Sequence, residues 1–194
     1  MKKVIIIFMV GAVVGLVVIL LGSDSEEDLI KQKLAEQAYH HETTLEQLKG
    51  VNLSGLNIQN IGALAKQTAL EELDLSNNNI ISIDAVSGLT NMVILDLSNN
   101  NIRDLSPLKN LKKLRFLNLS RNNFLSLEPL ISLPSLEGLI LTGNNLADLN
   151  NLNQLGKLRT LHISQATNIL DKMLYEKITN ALPECTVIVV PEND

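Results

Sequence analysis

One pattern returns every 22 residues in this chain, and no other feature restricts its fold so strongly. It starts at Leu48, Leu70, Met92, Leu114, Leu136 and Leu158, with no insertion between starts. Counting each start as position one, apolar residues fall at positions 1, 4, 6, 11, 14, 17 and 20. In the first five repeats 34 of these 35 positions are apolar, and Gln67 is the exception. A unit this short cannot enclose a core alone, so neighbouring units must stack and share one. The opening alternation, as in Leu73-Asp74-Leu75-Ser76, has the two-residue period of a strand with one buried face. Position nine is Asn in the four middle repeats: Asn78, Asn100, Asn122 and Asn144. Just past a strand the backbone turns while buried, and an amide side chain can both donate and accept there. These four residues are therefore read as a structural ladder.

The run Ile102-Arg-Asp-Leu-Ser-Pro-Leu-Lys-Asn-Leu-Lys-Lys-Leu114 resembles the leucine-rich repeat family, in the 22-residue type of internalins and certain phosphatase regulators. The resemblance covers about residues 48 to 190. It implies an α/β solenoid: a right-handed horseshoe with a parallel sheet on its concave face and short 3₁₀ turns outside. It says little about function, because one scaffold serves many partners.

Both ends depart from the pattern, as terminal repeats do when they shield an open core. The repeats are assigned to residues 48–166 and a closing cap to 167–194. In that cap Asn168 to Ala181 reads as a helix, with Leu170, Met173, Leu174, Ile178 and Ala181 along one side. Cys185 to Val190 then reads as a last strand stopped by Pro191, and Cys185 as a packing residue. Ahead of the repeats, residues 24–47 are charged and helix-prone. Ser25 and Asp28 have capping-box spacing, and Leu29, Ile30, Leu34, Ala35 and Ala38 form an apolar stripe. His40 and His41 lie at the end of that helix without further ligands nearby, as solvated side chains.

Residues 1–23 carry a different signal. Val4 to Leu21 contains only apolar residues and Gly, close to the roughly 20 residues needed to span a bilayer. It exceeds the apolar core of a secretory signal and ends without a small-x-small site, so we read an uncleaved anchor; secretion after signal cleavage is the alternative. Lys2 and Lys3 place the N-terminus in the cytoplasm and the repeats in the periplasm or outside the cell. Gly11 and Gly15 form a small-xxx-small pair through which two such helices could meet as a homodimer.

The residues facing out of the sheet bear on function. Position three reads Gly50, Glu72, Ile94, Phe116, Gly138, Thr160, and position five reads Asn52, Asp74, Asp96, Asn118, Ile140, His162. Ile94, Phe116 and Ile140 place large apolar groups on three successive strands where water is expected, the mark of a partner's anchor. Glu72, Asp74 and Asp96 form an acidic flank on one side, and Arg121 and His162 lie on the other. Catalysis is not expected. The nearest position-five acid to His162, Asp96, is three strands away, roughly 14 Å at ordinary strand spacing, and no triad closes. Asp74 and Asp96 are adjacent, but a flat, solvated carboxylate pair does not suit acid–base work. Calcium would need six or more oxygens from flexible loops, which this sequence does not supply.

Composition agrees. The chain has 38 Leu and 22 Asn but no Trp, two Tyr and three Phe, so stacking platforms for nucleic acid are missing. A net charge of −5 also opposes phosphate binding, and a single Cys rules out an internal disulfide. The reading is a bacterial membrane-anchored module that binds a protein on its concave face, with no cofactor, metal or nucleic acid. A subunit of a cell-envelope complex and an intracellular adaptor are the alternatives.

Overall fold

Each of the first five repeats contributes one short strand and one 3₁₀ turn to the computed structural model, which describes residues 25–41, 43–144, 152–164 and 169–191. The strands are β1 (Gly50–Asn52), β2 (Glu72–Asp74), β3 (Ile94–Asp96), β4 (Phe116–Asn118), β5 (Gly138–Ile140) and β6 (Thr160–Ser164). A seventh strand, β7 (Thr186–Val190), follows the helix α2 (Ile169–Ala181). All pair in parallel in the order β1 to β7, each residue against its counterpart 22 positions on until β7. Carbonyl to amide bonds such as Leu53 N–H to Asp74 O (2.8 Å) and Leu75 N–H to Asp96 O (2.9 Å) hold the register. The 22-residue period thus becomes a physical row of neighbours.

The core lies between the sheet and the stack of 3₁₀ turns at Gly62–Lys66, Asp84–Gly88, Ser106–Asn110 and Glu128–Ser132. Pro107 and Pro129 stand in the first turn of the last two, where a fixed φ helps and no N–H is needed. Position 20 closes each turn. The N–H groups of Gln67, Leu89, Leu111 and Leu133 bond back to the carbonyls of Leu64, Val86, Leu108 and Leu130. The three Leu side chains then enter the core, whereas Gln67 keeps the backbone bond but buries an Oε1 with no hydrogen-bond partner among the described residues. Replacing Gln67 with Leu is expected to stabilise the protein by about 1–2 kcal/mol, read as a higher denaturant midpoint with unchanged slope.

The four ladder amides bond to the backbone of their own and the preceding repeat. Asn78, Asn100 and Asn122 are buried. Each donates from Nδ2 to three carbonyls; for Asn100 these are Leu75 (3.0 Å), Leu97 (3.1 Å) and Ser98 (3.1 Å). Each Oδ1 accepts from a backbone N–H of the preceding repeat, as Asn100 does from Ile80 (2.9 Å). Asn144 continues the pattern half-buried, donating to Leu119 and accepting from Asn122 N–H.

The helix expected between membrane segment and body is α1 (Glu26–His40), capped by Ser25, whose hydroxyl accepts from Asp28 N–H at 3.2 Å. It does not stand off from the repeats. Ile30, Leu34, Ala35 and Ala38 are buried, and the first three of the core's own contributors at this end belong to α1 rather than to the repeats: Ile30, Leu34 and Ala38 join the same cluster as Leu48 and Val51. The core therefore begins at Ile30, because an open first repeat needs a lid. Gln37 completes that lid. Its Nε2 donates to Asn52 O (2.8 Å) and its Oε1 accepts from Asn52 N–H (2.9 Å), as a neighbouring strand would. Glu26 accepts from Asn60 N–H at 2.8 Å and pins the other end of the helix.

At the far end Ile178 and Leu182 are buried in the same core, and Cys185 and Val187 pack on it from its margin. Burial pushes the Cys185 thiol up from its ordinary pKa, which suits a packing role. Among the described residues no helix is long and apolar enough to cross a membrane. The apolar run at 4–21, with Gly11 and Gly15, lies outside the described residues, as do Ala166, Asn168 and the side chains of Leu170, Met173 and Leu174.

Candidate functional site

The face of the sheet turned away from the 3₁₀ turns carries positions three and five. Strand pairing puts Glu72, Ile94, Phe116 and Gly138 in one row and Asp74, Asp96, Asn118, Ile140 and His162 in the next. Ile94 is 40% exposed and Phe116 is 42% exposed, large values for side chains on adjacent strands of a sheet. Ile140 is half-buried, so of these three residues Ile94 and Phe116 are the ones open to solvent. Sequence reasoning missed what positions the ring. A Cβ on Gly138 would lie 2.7 Å from Phe116 Cδ1, so the ring rests in the space that the missing side chain leaves. The guanidinium of Arg115 stands 5.4 Å from the ring centroid and is held in a fork by Glu137, at 3.2 and 2.8 Å. That fork holds the Glu137 carboxyl below its ordinary pKa. The Gly next to Phe116 in the repeat register was the available signal.

Asp74, Asp96 and Asn118 of the second row are occupied. Asp74 Oδ1 accepts from Ser76 N–H (2.9 Å), and Asp96 Oδ1 accepts from both Ser98 N–H (2.8 Å) and Ser98 Oγ–H (2.6 Å). Asn118 repeats this on Ser120 and also donates to Asp96 Oδ2 at 2.9 Å. Position five thus closes a small turn at the exits of β2, β3 and β4. Of the acidic flank only Glu72 stands exposed on the face, while Asp74 and Asp96 are half-buried.

Position eight leaves the sheet. Gly55, Asn77, Asn99, Arg121 and Gly143 all have φ between 52° and 69°, the left-handed region. Gly and Asn adopt it readily, and Arg121 does so at a cost of about 1–2 kcal/mol. Arg121 therefore sits on the rim beyond β4, with its Cγ over Gly143, rather than beside Phe116. His162 lies on the sheet between Ile140 and Ile188. Ser164, its neighbour on that face, accepts from Gly143 N–H at 2.6 Å. Among the described residues no group of three or more His, Cys, Asp or Glu could hold a metal ion.

Comparison with known proteins agrees with this geometry. The Leucine Rich Repeat family matches residues 69–89, and its two-copy Leucine Rich repeats form matches residues 90–132. Residues 69–132 are leucine-rich repeats. Among solved structures it is similar to internalin inlF of Listeria monocytogenes, at 27% identity and a TM-score of 0.64 over 77% of this chain and 43% of that one. Internalin C2 of the same organism matches at 26% identity with a TM-score of 0.67, over 84% of this chain and 68% of the other. The leucine-rich repeat domain of APL1B, at 21% identity and a TM-score of 0.56, covers 65% of this chain and 39% of its own and shares the fold. The chain thus spans less than half the length of the first of these internalins. No curated protein sequence matches it.

Proposed function

We propose that this leucine-rich-repeat protein is a non-enzymatic module that binds another protein on the open face of its sheet. Ile94 and the platform-mounted Phe116 supply the anchor. The observation that carries this reading is the ring of Phe116, exposed yet held in place by Gly138 and Arg115, because a preordered aromatic loses little freedom on binding. Glu72 beside Ile94 favours a partner that sets a basic group next to an apolar one. We further propose that residues 4–21 anchor the chain in a bacterial membrane, with the repeats outside the cytoplasm; the uninterrupted apolar run after Lys2 and Lys3 supports this.

Crosslinking in intact cells tests both parts. A membrane-impermeant reagent is expected to join the protein to a discrete partner, and Phe116→Ser to reduce that capture at least tenfold with the melting temperature within about 1 °C of the parent, since the ring lies outside the core. Capture by a permeant reagent alone would move the repeats to the cytoplasm and favour an adaptor. Equal capture by Phe116→Ser would place the partner elsewhere, and a partner that withstands high salt and detergent would favour a permanent envelope subunit.

A further inference from the structure

The two edges of the sheet are finished differently. At β1 the outer edge is closed by α1, whose Gln37 amide takes up both the N–H and the carbonyl of Asn52. At β7 no described residue covers the outer edge, and the strand reads Thr186-Val-Ile-Val-Val190. Ile188, Val189 and Val190 are 39%, 41% and 37% exposed, and no charge occurs from Cys185 to Pro191. Edge strands that stay single usually carry Lys, a bulge or a covering element, because a bare row of N–H and C=O groups templates pairing. Here the only such device among the described residues is Pro191, just past the strand.

We propose that β7 pairs with β7 of a second copy of this chain, antiparallel, about a two-fold axis at Ile188. The closed β1 edge selects this occupant. Head-to-tail stacking of β7 on β1 would build an open filament, and α1 blocks it; two β7 edges meeting each other form a closed dimer. The pairing sets Ile188 opposite Ile188, Val187 opposite Val189 and Thr186 opposite Val190. It also brings the core-facing side of each open end together: Val187 and Val189 lie in register with the buried Leu161 and Ile163. The axis leaves both open faces on the same side, so two Phe116 anchors are presented to one side of the dimer. A strand pair five residues long buries less than the ~1,600 Å² of a stable complex, so the dimer dissociates on dilution.

Full-length protein in mild detergent, followed by sedimentation over a hundredfold concentration range, is expected to pass from one chain to two. Ile188→Lys sets two like charges opposite each other and should weaken the dimer at least tenfold, with an unchanged circular dichroism melt. In a Cys185→Ser background, Ile188→Cys should form an intermolecular disulfide under mild oxidation, because residues opposite at the axis lie about 4.5–5.5 Å apart at Cα, within the span of a disulfide. Val190→Cys, whose opposite is Thr186, should not crosslink. A chain that stays single at every concentration overturns the proposal. So does a dimer unaffected by Ile188→Lys but lost in Gly11→Leu/Gly15→Leu, or self-crosslinking at Val190→Cys but not at Ile188→Cys; the first of these would assign the contact to the apolar N-terminal segment and the second to a different register.

Discussion

Replacing Asn78 with Ala is expected to destabilise the protein by about 4 kcal/mol, more than the same change at Asn100 or Asn122. The ladder residues look equivalent in sequence, and their hydrogen bonds explain why they are not. Asn78 Oδ1 accepts from two backbone groups, Leu56 N–H at 3.1 Å and Ile58 N–H at 2.9 Å. Asn100 Oδ1 serves Ile80 N–H and Asn122 Oδ1 serves Ile102 N–H, one group each. The carbonyls are better protected than the amides. Leu75 O accepts from both Asn78 and Asn100, and Leu97 O from both Asn100 and Asn122, so either loses one donor and keeps another. The cost falls on orphaned N–H groups, each worth roughly 1–3 kcal/mol when buried. Thermal melts should then show falls of about 8–16 °C for Asn78→Ala and about half that for Asn100→Ala, at 2–4 °C per kcal/mol for a chain of this size. Equal losses at the two sites would mean that the donated bonds dominate instead.

Replacing Leu34 with Glu is expected to have an effect as large, and one that is local. Leu34 is 2% exposed and Ile30 is fully buried in the same lid. Burying a Leu contributes about 1.5–3 kcal/mol, and a carboxylate left in that site adds the penalty of an unpaired buried charge, so α1 should release rather than tolerate it. Release uncovers the first repeat and frees the β1 edge. Because each repeat touches mainly its neighbours, the damage should decay along the stack. Hydrogen exchange should show Asn52 and Leu53 deprotected by several orders of magnitude while Leu95, Leu97, Leu117 and Leu119 stay protected. Gln37→Ala, which removes only the amide bridge, should expose Asn52 N–H and leave the rest of β1 unchanged. A uniform loss of protection across all repeats would show that the array unfolds as one cooperative unit and that the lid is not a separable element.

The sequence by itself determined the architecture and its register. A strict 22-residue period with seven apolar positions admits one stacking, and every strand from β1 to β6 pairs with its neighbour at that offset. Periodicity is read from residue type alone, which is why the ladder residues and the outward positions of Ile94 and Phe116 were legible. The flanking elements were legible as helices and a strand, from capping at Ser25 and the apolar run before Pro191, because those signals are also local. Only the tertiary structure decided how far each outward residue is open. Ile94 and Ile140 read alike in sequence, yet one is exposed and the other half-buried, since exposure depends on what the adjacent strands place beside them. Asp74 and Asp96 read as free charges, and the turn beyond each strand consumes part of their capacity in bonds to Ser76 and Ser98. Arg121 read as part of the face, and the left-handed backbone at position eight carried it to the rim. The bridge from Gln37 to Asn52 spans 15 residues with no repeat to announce it. Contacts between elements outside the period leave no period to read, so the closed edge at β1, and the edge at β7 that no described residue covers, emerged only when the chain was folded.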